Sequence, residues 1–222
     1  MDRAAELNKK WQVKTGDLWR IGEHRLLCGD STKREDVERV MGGEKAGAII
    51  ADPPYGLNAN HQTLGSGKKE FSRGGDWDSS LADIAWIVSY GVPSILWGGN
   101  YYADVLPVTN DWLCWHKKND GLSFSEFELA WTSLGKNCRM LAHHWSGEEK
   151  NHPTQKPLPV IAWCVQLTEG TILDPFLGSG TTMVACENLH RKCRGIEISP
   201  DYCAVILERM ATAFPALAIE RA

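Results

Sequence analysis

The chain has 222 residues, a net charge of −4 and a pI near 6.0. That length exceeds the usual mode for one domain but is short for two, and it allows a core that needs no covalent staple. The acidic balance excludes a global positive field, so a polyanionic partner has to be held by local patches. Seven cysteines stand singly with no C-x-x-C pair, which argues against a secreted disulfide framework and for reduced thiols in the cytoplasm. No apolar run reaches the roughly 18 residues of a membrane span. "MDRAAELNKKW" lacks the apolar core of a signal peptide, so neither membrane insertion nor export is expected.

The hydrophobic period switches repeatedly between strand-like and helix-like, which is the α/β pattern. "HRLLC" (24–28) reads as a strand, "KREDVERVM" (33–41) as a helix and "AGAIIA" (46–51) as a strand buried on both faces. Residues 57–80 form a polar, glycine-rich loop, expected to be mobile. "PSILWGG" (93–99), "DWLCWHK" (111–117) and "FELAWTSL" (127–134) read as strands, the last two adjacent. Pro157 opens the helix "PLPVIAWCVQL", where its missing N–H is harmless. A strand "GTILD" (170–174), a helix "GTTMVACENLH" (180–190), a strand "CRGIEI" (193–198) and a helix "PDYCAVILERM" (200–210) follow.

The strongest local signal is "TILDPFLGSGTTMVAC" followed by "RKCRGIEIS". A strand ends in Asp174, a turn follows at Gly178, Ser179 and Gly180, a helix starts, and a second strand ends in Glu197. This is a nucleotide-type βαβ unit: glycines allow close backbone approach, and the second acid can accept hydrogen bonds from ribose hydroxyls. Met183 stands where a dinucleotide fingerprint wants its third glycine, and no lysine follows Gly180 as a P-loop requires. A ligand without phosphates fits better, which also sets aside a nicotinamide oxidoreductase. A tight glycine turn in an ordinary α/β protein is the plainer alternative.

Together these segments resemble the amino-methylating, S-adenosylmethionine-dependent DNA methyltransferases. "DPFLGSGTT" looks like their cofactor motif, "GIEISPDY" like the acidic motif, "HPTQKP" (152–157) like the motif that precedes the cofactor strand, and "DPPY" (52–55) like the catalytic motif. The catalytic motif comes first and the cofactor motif last, as in the permuted β group, and the likeness runs from about Gly16 to Met210. It implies a single domain over residues 1–222 with the class I methyltransferase fold: a Rossmann-like, mostly parallel sheet flanked by helices, circularly permuted.

The resemblance assigns roles. Asp30, at the end of the first strand, would accept a hydrogen bond from the cofactor's adenine, or else caps the next helix with Ser31 and Thr32 as rival caps. Glu197 would hold the ribose. Thr154 and Lys156 would meet the methionine end, although a lysine in a Pro-flanked loop is commonly a solvated one. Asp174 would face the sulfonium and amino end, with backbone from Phe176 through Gly178, Ser179 and Gly180 covering the rest. Thr181 and Thr182 either join them or simply start the helix.

The exocyclic amine of adenine is a poor nucleophile because its lone pair is delocalised. Two acceptors aimed at its two N–H bonds would favour the pyramidal geometry. In the resemblance these are the Asp52 carboxylate and the Pro53 carbonyl, with Pro53 and Pro54 fixing the backbone and Tyr55 stacking on the base. The base must first be flipped out of the duplex. Lys68, Lys69 and Arg73 in the 57–80 loop are candidate phosphate contacts.

A small target-recognition region is expected at 121–151, with Arg139, His143 and His144 as candidate DNA contacts, each also explicable as structural, and with Trp145 better read as packing. Its small size suggests a short or loosely read site. Asp at the head of the catalytic motif favours adenine, because relatives acting on cytosine usually carry Ser there. A cytosine-N4 enzyme, an RNA or protein methyltransferase and a catalytically silent DNA-binding module are the alternatives. Cys186, His190 and Cys193 are not read as metal ligands. Beside DNA, the resemblance raises a homodimer and a cognate restriction endonuclease as partners, and the sequence decides neither.

Overall fold

The apolar runs become strands buried on both faces. The structure, a computed structural model, describes residues 3–56, 81–121, 125–144 and 155–222. The expected loop 57–80, with Lys68, Lys69 and Arg73, lies outside the described residues, as do Trp145 and Thr154. In chain order the elements are α1 (Arg3–Trp11), β1 (Leu18–Ile21), β2 (His24–Cys28), α2 (Arg34–Met41), β3 (Ala48–Ala51), α3 (Ala85–Ser89) and β4 (Ser94–Trp97). Then come β5 (Trp112–His116), β6 (Phe127–Thr132), β7 (Arg139–Ala142), α4 (Leu158–Gln166), β8 (Ile172–Asp174), α5 (Thr181–Asn188), β9 (Cys193–Glu197), α6 (Pro200–Ala213) and β10 (Ile219–Arg221).

All ten strands form one sheet in the order β10-β1-β2-β9-β8-β3-β4-β6-β5-β7. The five central strands β2, β9, β8, β3 and β4 run parallel, while β6 is antiparallel to both β4 and β5. The crossover from β2 through α2 to β3 leaves a gap two strands wide, filled by β8 and β9 from the last third of the chain. That insertion is what a permuted order looks like in space.

Alternation along the strands divides the core into two layers. Ala48 and Ile50 of β3 join the cluster under α4, α5 and α6, with Val160, Cys164, Met183, Cys203 and Ile206. Ile49 and Ala51 face the other side, where Val37, Val40 and Met41 of α2 pack with Ile84 and Ile87 around α3. Strands covered on both faces lose their polar alternation, which is why AIIA and SILW are wholly buried.

Two polar clamps tie the inserted β9 to its surroundings. The Cys193 N–H donates to Nδ1 of the buried His24 at 3.0 Å, which leaves Nε2 to donate to Glu187 at 2.8 Å. The buried Arg194 guanidinium donates to the Glu23 carbonyl at 2.6 Å and to both Glu44 oxygens at 2.7 and 2.8 Å.

Several expectations need adjustment. Pro157 is the N-cap of α4 rather than its first residue, and α6 runs on to Ala213. Helices α1 and α3 and strands β1, β7 and β10 were not foreseen as separate elements. α1 presents no buried residue and is held to α6 by polar contacts, Asn8 to Asp201 at 2.9 Å and Trp11 to Glu208 at 2.8 Å.

Gly195 in β9 pairs with Asp174, and a β-carbon there would collide with the buried Leu177 side chain. Gly195→Ala is expected to destabilise the fold by about 1–3 kcal/mol through overpacking, read as a fall in the thermal unfolding midpoint. An unchanged midpoint would show that Leu177 has room to move.

Candidate active site

Parallel strands present their carboxyl ends along one edge, where open α/β sheets bind ligands. Along that edge, in sheet order, lie Asp30 two residues beyond β2, Glu197 ending β9, Asp174 ending β8, Asp52 just beyond β3, and Gly98 just beyond β4. The topology thus brings four carboxylates from distant parts of the chain into one row.

Glu197 and Asp174 are buried. Glu197 accepts the Gly178 N–H at 2.9 Å through one oxygen and the Ser199 N–H at 2.8 Å through the other. Burial raises its pKa to about 7 against the pull of those backbone donors. Asp174 accepts the Phe176 N–H at 3.0 Å. Burial raises its pKa to about 7 as well; Thr182 and the Phe176 N–H oppose the rise and the charge of Asp52 adds to it.

The glycine turn is as expected. Gly178 and Gly180 have φ of +55° and +84°, a region where β-carbons are strained, and Gly180 is the N-cap of α5 without a capping side chain. Thr181 and Thr182 are therefore the first residues inside the helix, and both are buried. Ser179 donates its hydroxyl to Gln155 at 3.0 Å, and Arg209 holds the Ser179 carbonyl and the Thr181 hydroxyl, each at 3.0 Å. Phe176 packs against the α2 and α3 layer. Asp30 is not the N-cap of α2, which is Lys33; it closes a turn by accepting the Thr32 N–H at 3.0 Å and its hydroxyl at 2.7 Å.

The DPPY segment is tightly engaged. Tyr55 donates its hydroxyl to Asp52, its ring stacks on Tyr101 at 5.0 Å, and a β-carbon at Gly98 would strike it. Tyr102 donates to the Pro54 carbonyl, which fixes the second proline; no donor among the described residues reaches the Pro53 carbonyl. Asp52 also accepts from Lys156 at 2.6 Å. Lys156 is buried and makes a second ion pair, 3.1 Å to Glu128 of β6, whose other oxygen meets Lys117 at 2.7 Å. The two carboxylates hold the Lys156 ammonium, with its pKa raised, against a large opposing effect of burial.

Glu128, Gln155, Tyr101 and Tyr102 were missed by sequence reasoning. For Glu128 a signal existed: it shares a face of β6 with the buried Ala130 and Thr132, and an acid on the buried face of a strand needs a partner. The expected DNA contacts are more dispersed. Arg139 reaches the buried Asp111 at 3.4 Å, His143 pairs through its backbone with His116 at 2.9 Å, and His144 is exposed just beyond β7. Among the described residues no cluster of metal-ligating side chains occurs and no helix is long and apolar enough to cross a membrane.

This sheet order, with an acid-lined carboxyl edge and a glycine turn between β8 and α5, defines the class I methyltransferase fold. Residues 117–208 match the family model described as DNA methylase, of N6/N4 type. The type II methyltransferase M.HpaI of Haemophilus parainfluenzae is 24% identical over 86% of this chain and 76% of its own length. M.ScaI of Streptomyces caespitosus is 30% identical over 60% of this chain and 52% of its own. Among solved structures, the crystal structure of the M1.HpyAVI–SAM complex superposes with a TM-score of 0.57 at 22% identity, covering 84% of this chain and 99% of that one; it shares the fold.

The raised carboxyls have a pH consequence. Their folded pKa lies above the unfolded value, so the folded chain keeps protons that the unfolded chain gives up. The resulting stability is complete below about pH 4 and is lost as pH rises through about 7. Asp174→Asn keeps an acceptor for the Phe176 N–H while removing one titration. It is expected to flatten the fall in unfolding midpoint between about pH 5 and pH 8. An unaltered slope in thermal melts would assign that dependence elsewhere.

Proposed function

We propose that the chain is a site-specific DNA adenine methyltransferase that moves a methyl group from S-adenosylmethionine to the N6 amine of a flipped adenine. The observation that carries this reading is the placement of DPPY at the end of β3, in one row with Asp174 and Glu197. The match to a family model described as DNA methylase supports DNA as substrate, and the names of the relatives support methyl transfer. Asp at the head of DPPY favours adenine over cytosine.

The donor supplies a methyl group activated on a sulfonium. Glu197 and Asp30 would accept hydrogen bonds from its ribose and adenine, Asp174 would face its amino end, and Phe176, the Gly178–Ser179–Gly180 turn, Thr181 and Thr182 would enclose it, with Thr154 nearby in sequence. Asp52 would accept one amine hydrogen and the Pro53 carbonyl the other, while Tyr55 stacks on the base. For this, Tyr55 must present a ring face that Tyr101 now covers. Methyl transfer forms one N–C bond as the S–C bond breaks, and the surplus amine proton leaves toward Asp52. Lys68, Lys69, Arg73, Arg139, His143 and His144 are proposed to meet the DNA, with 121–151 as the region that reads it.

Unmethylated DNA incubated with the protein and S-adenosylmethionine, then digested for nucleoside mass spectrometry, is expected to yield N6-methyladenine. Asp52→Ala should lower the rate by about 10²–10³-fold. N4-methylcytosine would overturn the adenine assignment, and no methylated base would overturn the reaction.

A further inference from the structure

By the resemblance, Lys156 would bind the methionine carboxylate, yet its ammonium is already shared between two carboxylates, Asp52 at 2.6 Å and Glu128 at 3.1 Å. It is buried, with the rings of Tyr55 and Trp97 at 5.8 and 5.6 Å. A third carboxylate at the same ammonium would be pressed against the two already there, a like-charge contact in a place poorly reached by water. Glu128 is itself balanced by Lys117 at 2.7 Å, so the chain Lys117–Glu128–Lys156–Asp52 alternates in sign and sums to zero.

We propose that Lys156 and Glu128 are positioning residues for the Asp52 carboxylate and do not bind the cofactor. The assignment rests on the methyltransferase reading and refines it. Asp52 has to turn one oxygen toward an amine hydrogen while staying ionised. Lys156 anchors Oδ2, and the Tyr55 hydroxyl donates to Oδ1, the oxygen that faces the amine, and so sets its angle. Glu128 keeps Lys156 from closing on both oxygens of Asp52, which would remove the acceptor. Three separate pieces of the chain, the end of β3, the start of β6 and the residue before Pro157, thus cooperate at one carboxylate. Because β6 runs antiparallel to β4, its first residues lie at the sheet edge where β4 ends, and this brings Glu128 into the cleft.

Lys156→Met and Glu128→Gln should separate the two roles. Binding of S-adenosylmethionine is measured by titration calorimetry, and kcat and KM by methyl transfer to DNA. Both variants are expected to bind S-adenosylmethionine within about 3-fold of the unmodified chain and to lose on the order of 100-fold in kcat, the scale of a misplaced catalytic group. Glu128→Asp should recover part of that loss. A Lys156→Met chain with cofactor affinity down by about 10-fold or more and kcat preserved would return the lysine to the cofactor. Unchanged kcat in Glu128→Gln would also overturn the assignment. Should Lys156→Met fail to fold, Lys156→Arg with Glu128→Gln carries the test, because both keep the buried charges partnered. No methyl transfer by the unmodified chain would overturn the methyltransferase reading and this assignment together, whereas normal transfer by the variants would overturn only the assignment.

Discussion

A buried ammonium constrains the rest of this cleft. Removing a charge from water carries a penalty of several kcal/mol unless close opposite charges and hydrogen bonds compensate it. Lys156 is compensated from two sides, by Asp52 beyond β3 and by Glu128 on β6. The segment before α4 therefore cannot drift from the sheet edge without stranding a charge. Gln155, its neighbour, reaches Ser179, so the same segment also fastens the glycine turn. The DPPY segment beyond β3 and the glycine turn after β8, far apart in the chain, are joined by two consecutive side chains.

The second constraint is the sheet itself. Placing β8 and β9 between β2 and β3 makes every central pairing parallel, and that direction sends the acids of all those strands to one edge. His24 and Arg194 lock the inserted β9 to β2 and to the loop before β3. The row of carboxylates is thus a product of topology, and the polar clamps hold its spacing.

Much of this was legible in the sequence because its causes are local. Runs such as AIIA and SILW announce strands buried on both faces, and glycines at 178 and 180 announce a turn with positive φ. The DPPY segment, Asp174 and Glu197 fall at strand ends, where a reader looks for chemistry. What escaped depends on distant pairing. α1 has no buried residue and is recognised only once Asp201 and Glu208 lie beside it. β7 is an edge strand whose exposure alternates, so its residues read as surface contacts. Glu128 sits at the beginning of a strand, and only the antiparallel turn of β6 moves that beginning to the active edge.

The protonation of this cleft bears on whatever enters it. Near neutrality Asp174 and Glu197 are each divided between acid and anion, because burial holds both near 7. A cationic ligand that favours the anions drives protons out as it binds. Association is then a proton-exchange reaction as well as a contact, and its measured heat contains the ionisation heat of the buffer. Calorimetry in buffers of different ionisation enthalpy would count those protons, turning two buried acids into a chemical meter of occupancy.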